Sequence, residues 1–183
     1  MTASNVVASM SGCAGQRCMA AAQMIGVAGV DHIIDQMLVE AKKLVPGKTL
    51  GPVISKVAFE RITGYIDEAE KAGAKILLDG RNPTVEGGAD PGSGPGGYYL
   101  GPTIIDHVTP DMRIAKEEVF GPVISIIRAK DLDAALDIEN ANPYGNAAAV
   151  FTQSGGQARQ VMERASAGMI GVKPRIGPPS CEM

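Results

Sequence analysis

The octapeptide PVISIIRA, Pro122 to Ala129, most constrains what this chain can fold into. Its apolar residues run nearly without a break instead of alternating with polar ones. A strand of that kind must be covered on both faces, and helices supply the cover. The flanking sequence provides them. Val30, Ile33, Ile34, Met37, Leu38, Ala41 and Leu44 follow the i, i+3, i+4, i+7 spacing of an amphipathic helix, stopped by Pro46-Gly47. Val57, Ile62, Tyr65, Ile66 and Ala69 mark a second helix ending near Ala72-Gly73. Leu132, Ala135 and Leu136 mark a third, and Gln157 to Ala165 a fourth.

Short strands are expected between them: AKILLDG, the extended YYLGPTIIDHV, AAAVFT after the turn in NPYGN, and GMIGV. Gly and Pro crowd Asn82 to Gly97, which reads as a surface loop. Strands alternating with helices predict an α/β fold with right-handed crossovers and a mostly parallel sheet flanked by helices. Met24, Met37 and Met162 read as core.

At 183 residues the chain fits one domain. The net charge of −3 gives no electrostatic case for nucleic acid or an anionic membrane surface. Trp is absent and aromatics make up 4%, which disfavours a base-stacking surface. No apolar run approaches the roughly 18 residues of a membrane span. Three cysteines do not make a disulfide framework, which points to the cytoplasm. Two histidines far apart and one C-x4-C pair give no metal-ligand set, so no metal is expected.

The chemistry lies in SGCAGQRCMAAAQ, Ser11 to Gln23. The Ala/Met-rich stretch Met19 to Val27 reads as a helix by propensity. Cys18 then sits at its N-terminus, where unpaired N–H groups and Arg17 favour a thiolate. Such a thiolate attacks carbonyl carbon, and its own N–H can receive the developing oxyanion. The same residues also suit a structural cysteine in a packed loop. Cys13 lies farther from the expected helix start, and Cys181 lies in an aperiodic tail.

Read together, the motifs carry a resemblance. GQRCMA resembles the nucleophile loop of the aldehyde dehydrogenase superfamily, and KEEVFGPVISI, Lys116 to Ile126, resembles its second signature. GYYLGPTIIDHV, NPYGNAAAVFT and ASAGMIGV match further segments in the family's order. Arg directly before the cysteine, with Met-Ala after it, is similar to the CoA-acylating branch of methylmalonate-semialdehyde dehydrogenases.

The resemblance implies an NAD- and coenzyme A-dependent oxidation of malonate or methylmalonate semialdehyde to acetyl- or propionyl-CoA. Cys18 would form the thiohemiacetal and then the thioester. Arg17 would pair with the substrate carboxylate through its planar fork. Glu118 would accept hydrogen bonds from the nicotinamide-ribose hydroxyls, and Phe120 would pack beside the nicotinamide. Glu117 and Lys116 are left as a solvated face.

By the same resemblance, residues 1–172 form the catalytic domain and 173–183 a divergent, disordered tail. The family's Rossmann cofactor domain, its oxyanion Asn and its acidic base lie upstream of this sequence. The isolated chain is therefore expected to turn over little, with a second copy or a partner chain carrying the Rossmann domain. The alternative is a non-catalytic remnant or interaction module that keeps the fold.

Overall fold

The computed structural model describes residues 1–88, 90–92 and 97–174. Its centre is β4 (Val123–Ala129), flanked by β1 (Gln23–Val27) on one side and β3 (Thr103–Asp106) on the other. Both pairings are parallel, with Gln23 opposite Ser125 and Thr103 opposite Val123. β2 (Lys75–Leu78) closes the far edge and pairs antiparallel with β3. The sheet order is therefore β1-β4-β3-β2. A second, two-stranded parallel sheet joins β5 (Ala147–Thr152) to β6 (Met169–Pro174).

The apolar run in β4 is divided between two cores. Ile124 and Ile126 pack with Ala3, Val6, Val7 and Met10 of α1 (Thr2–Ser11) and with Ile34, Met37 and Ala41 of α2 (Asp31–Ala41). Val123 and Ile127 pack on the opposite face with Ile62, Tyr65, Ile66 and Ala69 of α3 (Lys56–Lys71). This is the period-2 alternation of a strand with both sides covered. Ile124 and Ile126 are wholly buried, and each such side chain contributes about 1.5–3 kcal/mol of transfer free energy.

Helix boundaries follow local chemistry. The Ser55 hydroxyl accepts from Ala58 N–H to cap α3, and Gly73, at φ +99°, follows its end. Asp131 caps α5 (Leu132–Ala141), and Ser154 caps α6 (Gly155–Arg164). The one-turn α4 spans Arg113–Lys116.

Two readings of the sequence change, at Met19 to Val27 and at Met162. Met19 to Val27 is not a helix: a turn leads into β1, because Gln23 to Val27 gains parallel pairing with β4, which outweighs the helix preference of Ala and Met. The helix beside the cysteine loop is α1, which precedes it. Met162 is exposed, unlike Met37, which is wholly buried. The mostly parallel sheet flanked by helices is present, in two pieces and with one antiparallel edge. β6 continues through Lys173 to Pro174. Residues 175–183, on which Cys181 and the rest of the tail expectation fall, lie outside the described residues.

At the carboxyl ends of β3 and β4, Asp106 is nearly buried. Arg128 grips it with Nε at 2.9 Å and Nη2 at 2.7 Å. Burial pushes the Asp106 carboxyl up, but Arg128 and the His107 N–H together outweigh burial and hold it below its ordinary value. A depressed carboxyl contributes stability above its unfolded value, and that stability is lost as pH falls through the folded value. Arg128→Met should therefore destabilise the protein at neutral pH. In urea unfolding that penalty should shrink below about pH 4, where Asp106 takes up a proton.

Candidate active site

Three loops meet at the amino ends of three strands: residues 12–22 before β1, 117–122 before β4, and 142–146 before β5. The first begins with a tight reversal. Cys13, Ala14 and Gly15 have φ of +52°, +53° and +71°, and Gln16 N–H donates to the Cys13 carbonyl at 3.1 Å. Only glycine suits position 15. A Cβ there would collide with the backbone carbonyl of Gly121, so the two loops touch backbone to backbone.

Gln16 anchors the reversal to a further segment. Its Nε2 donates to the Pro52 carbonyl at 3.3 Å, and its Oε1 accepts from Ile54 N–H at 2.8 Å. Arg17 and Cys18 follow, both exposed. The Arg17 guanidinium folds back over Gly12, in the space a side chain at 12 would take. It forms no ion pair among the described residues. Cys18 sits in a turn and not at a helix N-terminus. The end of α1 nearest the loop is its C-terminus, so the expected dipole assistance to the sulfur is absent.

The second loop rests on α3 and α4. Arg61 Nη1 donates to the Glu118 carbonyl at 3.1 Å. Tyr65 Oη donates to Glu117, and Arg113 Nε donates to the same carboxylate at 2.9 Å. Arg113 also lies over the Tyr65 ring, 4.8 Å from its centroid. The Glu117 carboxyl is held low by the Arg113 hydrogen bond first and the Tyr65 hydroxyl second. Glu117, read from sequence as part of a solvated face, is exposed and also braces this loop.

Val119 is buried beneath the loop, and the Glu118 carboxylate is exposed with no partner among the described residues. Phe120 is 36% exposed, and its φ of +51° is a strained value for a bulky residue. The structure thus brings the Cys18 and Glu118–Phe120 segments together through Gly15 and Gly121.

The third loop joins them. Asn142 Nδ2 donates to the Ala115 carbonyl at 3.2 Å, and Gln23 Nε2 reaches the same carbonyl at 2.7 Å. Asn146 Nδ2 donates to the Cys18 carbonyl at 3.1 Å. Sequence reasoning assigned nothing to Gln16 or Asn146 individually. Their presence inside the quoted motifs was the available signal.

The aldehyde dehydrogenase family model matches residues 1–180. This chain belongs to the aldehyde dehydrogenase family. A Drosophila pseudoobscura pseudoobscura relative is named as a probable methylmalonate-semialdehyde/malonate-semialdehyde dehydrogenase, acylating, mitochondrial. It is 46% identical over 167 residues, which cover 88% of this chain and 31% of that protein. The crystal structure of methylmalonate-semialdehyde dehydrogenase from Oceanimonas doudoroffii matches with a TM-score of 0.86 and 36% identity, over 93% of this chain and 36% of that one. The NAD-bound 1-pyrroline-5-carboxylate dehydrogenase from Thermus matches with a TM-score of 0.83 and 31% identity, over 96% and 33%. The chain spans about a third of the length of these aldehyde dehydrogenases. Among the described residues no helix is long and apolar enough to cross a membrane.

Gly15→Ala should cost about 2 kcal/mol or more, since it adds a backbone collision to an unfavourable φ. Urea unfolding measures the loss. Gly29→Ala, at φ +69° with nothing within 4 Å, isolates the conformational part and should cost less.

Proposed function

We propose that this chain carries the nucleophile and the nicotinamide-side residues of an oxidoreductase acting on a small carboxylated aldehyde, malonate or methylmalonate semialdehyde. The observation that carries the reading is the contact of Gly15 with Gly121, which holds the loop bearing the exposed Cys18 against the loop bearing Phe120 and the Glu118 carboxylate, unpartnered among the described residues. Family membership and the relatives' names support the substrate class.

Cys18 attacks the aldehyde carbon. The sulfur–carbon bond forms, the carbonyl electrons move to oxygen, and the Cys18 N–H is the nearest preset donor for that oxygen. Arg17, unpaired and exposed, pairs with the substrate carboxylate through two parallel N–H bonds and so orients the aldehyde toward the sulfur. Bound NAD would supply the hydride acceptor needed to take the Cys18 adduct to the oxidation level of a thioester. The exposed Glu118 carboxylate fits the ribose hydroxyls of that cofactor, because it offers acceptors to both O–H groups. Phe120 presents its ring to the nicotinamide. CO2 leaves the thioester and its carbon takes a proton from solvent; the acyl group then passes from Cys18 to the coenzyme A sulfur, and the thiol proton of coenzyme A goes to the released cysteine. The coenzyme A step rests on the word acylating in the Drosophila relative's name.

A second reading, an association module without turnover, draws support from exposed apolar side chains on the same loops and on β6: Met19, Phe120, Tyr144, Met169 and Val172. Size-exclusion chromatography separates the two. A clean monomer counts against the association module.

The full chain incubated with semialdehyde, NAD and coenzyme A should carry the acyl group on Cys18, detected by peptide mass spectrometry. Cys18→Ser should abolish the adduct. Without any adduct, NADH or acyl-CoA the catalytic reading fails. In the native protein iodoacetamide should label Cys18 readily, as its exposure requires.

A further inference from the structure

Cys18 lies between two peptide planes, and each is held by one hydrogen bond. The Arg17 carbonyl accepts from Ala20 N–H at 3.0 Å, a bond local to the turn. The Cys18 carbonyl accepts from Asn146 Nδ2 at 3.1 Å, a bond from 128 residues away. Among the described residues this is the one side-chain hydrogen bond made to the backbone of residues 17–19. Among the described residues no peptide bond is cis. In a trans peptide plane the N–H points opposite the carbonyl. Fixing the Arg17 carbonyl therefore aims the Cys18 N–H, and fixing the Cys18 carbonyl aims the Met19 N–H.

Asn146 is itself anchored before it meets the cysteine. Its carbonyl accepts from Met169 N–H at 3.2 Å, and Gly145 accepts from Gly168 N–H at 2.7 Å, both at the start of the β5–β6 pairing. At the loop's other end, Asn142 accepts Tyr144 N–H at 2.9 Å and donates to Ala115. The amide is thus presented from a stiff loop to an exposed turn that has no other long-range tie at the nucleophile.

We propose that Asn146 is a positioning residue for attack by Cys18 on a carbonyl group. By holding the Cys18 carbonyl, its amide fixes the Cys18–Met19 peptide plane and so presets the Met19 N–H as a second donor, alongside the Cys18 N–H held through the Arg17 carbonyl, for the oxyanion of the tetrahedral intermediate. This rests on Cys18 being the nucleophile. A preset donor accelerates a reaction only where negative charge develops on oxygen, so acyl transfer gains and simple alkylation does not.

Two reagents separate these effects on the full chain. In acylation by p-nitrophenyl acetate, a bond forms from the Cys18 sulfur to the acetyl carbon. The ester C–O bond breaks, p-nitrophenolate leaves, and the thiol proton goes to solvent. Iodoacetamide alkylates the same sulfur with no oxyanion. Peptide mass spectrometry reads both at Cys18, with Cys13 as an internal reference. In Asn146→Ala, Cys18 acylation should slow about tenfold, while its alkylation and both reactions at Cys13 stay within about twofold. The melting temperature should not change. Asn146→Gln, which keeps an amide donor, should recover most of the acylation rate. Unchanged acylation in Asn146→Ala overturns the proposal, and so does an equal slowing with both reagents. If wild-type Cys18 is acylated no faster than Cys13, the nucleophile reading itself fails and the proposal falls with it.

Discussion

Every part of the site hangs from β4. Its two-sided burial fixes α1 and α2 on one face and α3 on the other, and those helices carry the supports of the loops. α1 delivers the chain into the cysteine turn. α3 supplies Arg61 and Tyr65 to the segment that enters β4. β1 pairs with β4 in parallel, so the cysteine turn and the Glu118 loop must open at the same end of the sheet. With both faces packed, neither loop can shift without exposing apolar surface, which costs about 25 cal/mol per Å².

That end is the amino end of the strands, the reverse of the usual placement of ligands in open α/β sheets. The carboxyl ends of β1 and β4 border an open depression of about 380 Å³, lined by Gly26, Ala28, Asp31, His107, Arg128 and Ala129. Its charge is consumed internally: Arg128 binds Asp106 twice and Asp31 once, at 2.8 Å. The amino end differs. There the Arg17 guanidinium and the Glu118 carboxylate are exposed and unpaired among the described residues, and surface groups of that kind are free to meet a ligand's charge and hydroxyls.

What the sequence disclosed, it disclosed through periodicity. The unbroken apolar run of β4 and the i, i+3, i+4, i+7 face of α3 are local records of burial, and both were legible. The α1 face, Ala3, Val6, Val7 and Met10, has the same spacing, but in a helix of ten residues it spans only about two turns, too short a run for the period to stand out. Met19 to Val27 misled for a physical reason: Ala and Met favour helix only by tenths of a kcal/mol per residue, and strand pairing with β4 is stronger. The site residues divide in the same way. Cys18, Glu118 and Phe120 could be named from motifs, but the placing of Asn146 against Cys18, 128 positions away, depends on the whole fold.

The misread helix also changes how the thiol must work. A helix beginning at Cys18 would have offered its dipole and its free N–H groups. The observed turn offers no such dipole, and the nearer end of α1 is the wrong pole. What remains is the peptide geometry of the turn and the Arg17 guanidinium folded over Gly12. Reactivity at an exposed sulfur of this kind comes from donors that are already aligned when the carbonyl arrives, because reorienting them during the reaction would add to the barrier. Alignment in a solvent-exposed turn requires ties from outside it. The turn has two, Gln16 to the 52–54 segment and Asn146 to the Cys18 carbonyl, one on each side of Arg17. On the proposed function, the long-range hydrogen bonds of this loop would therefore set its chemistry as much as the residue that bears the sulfur.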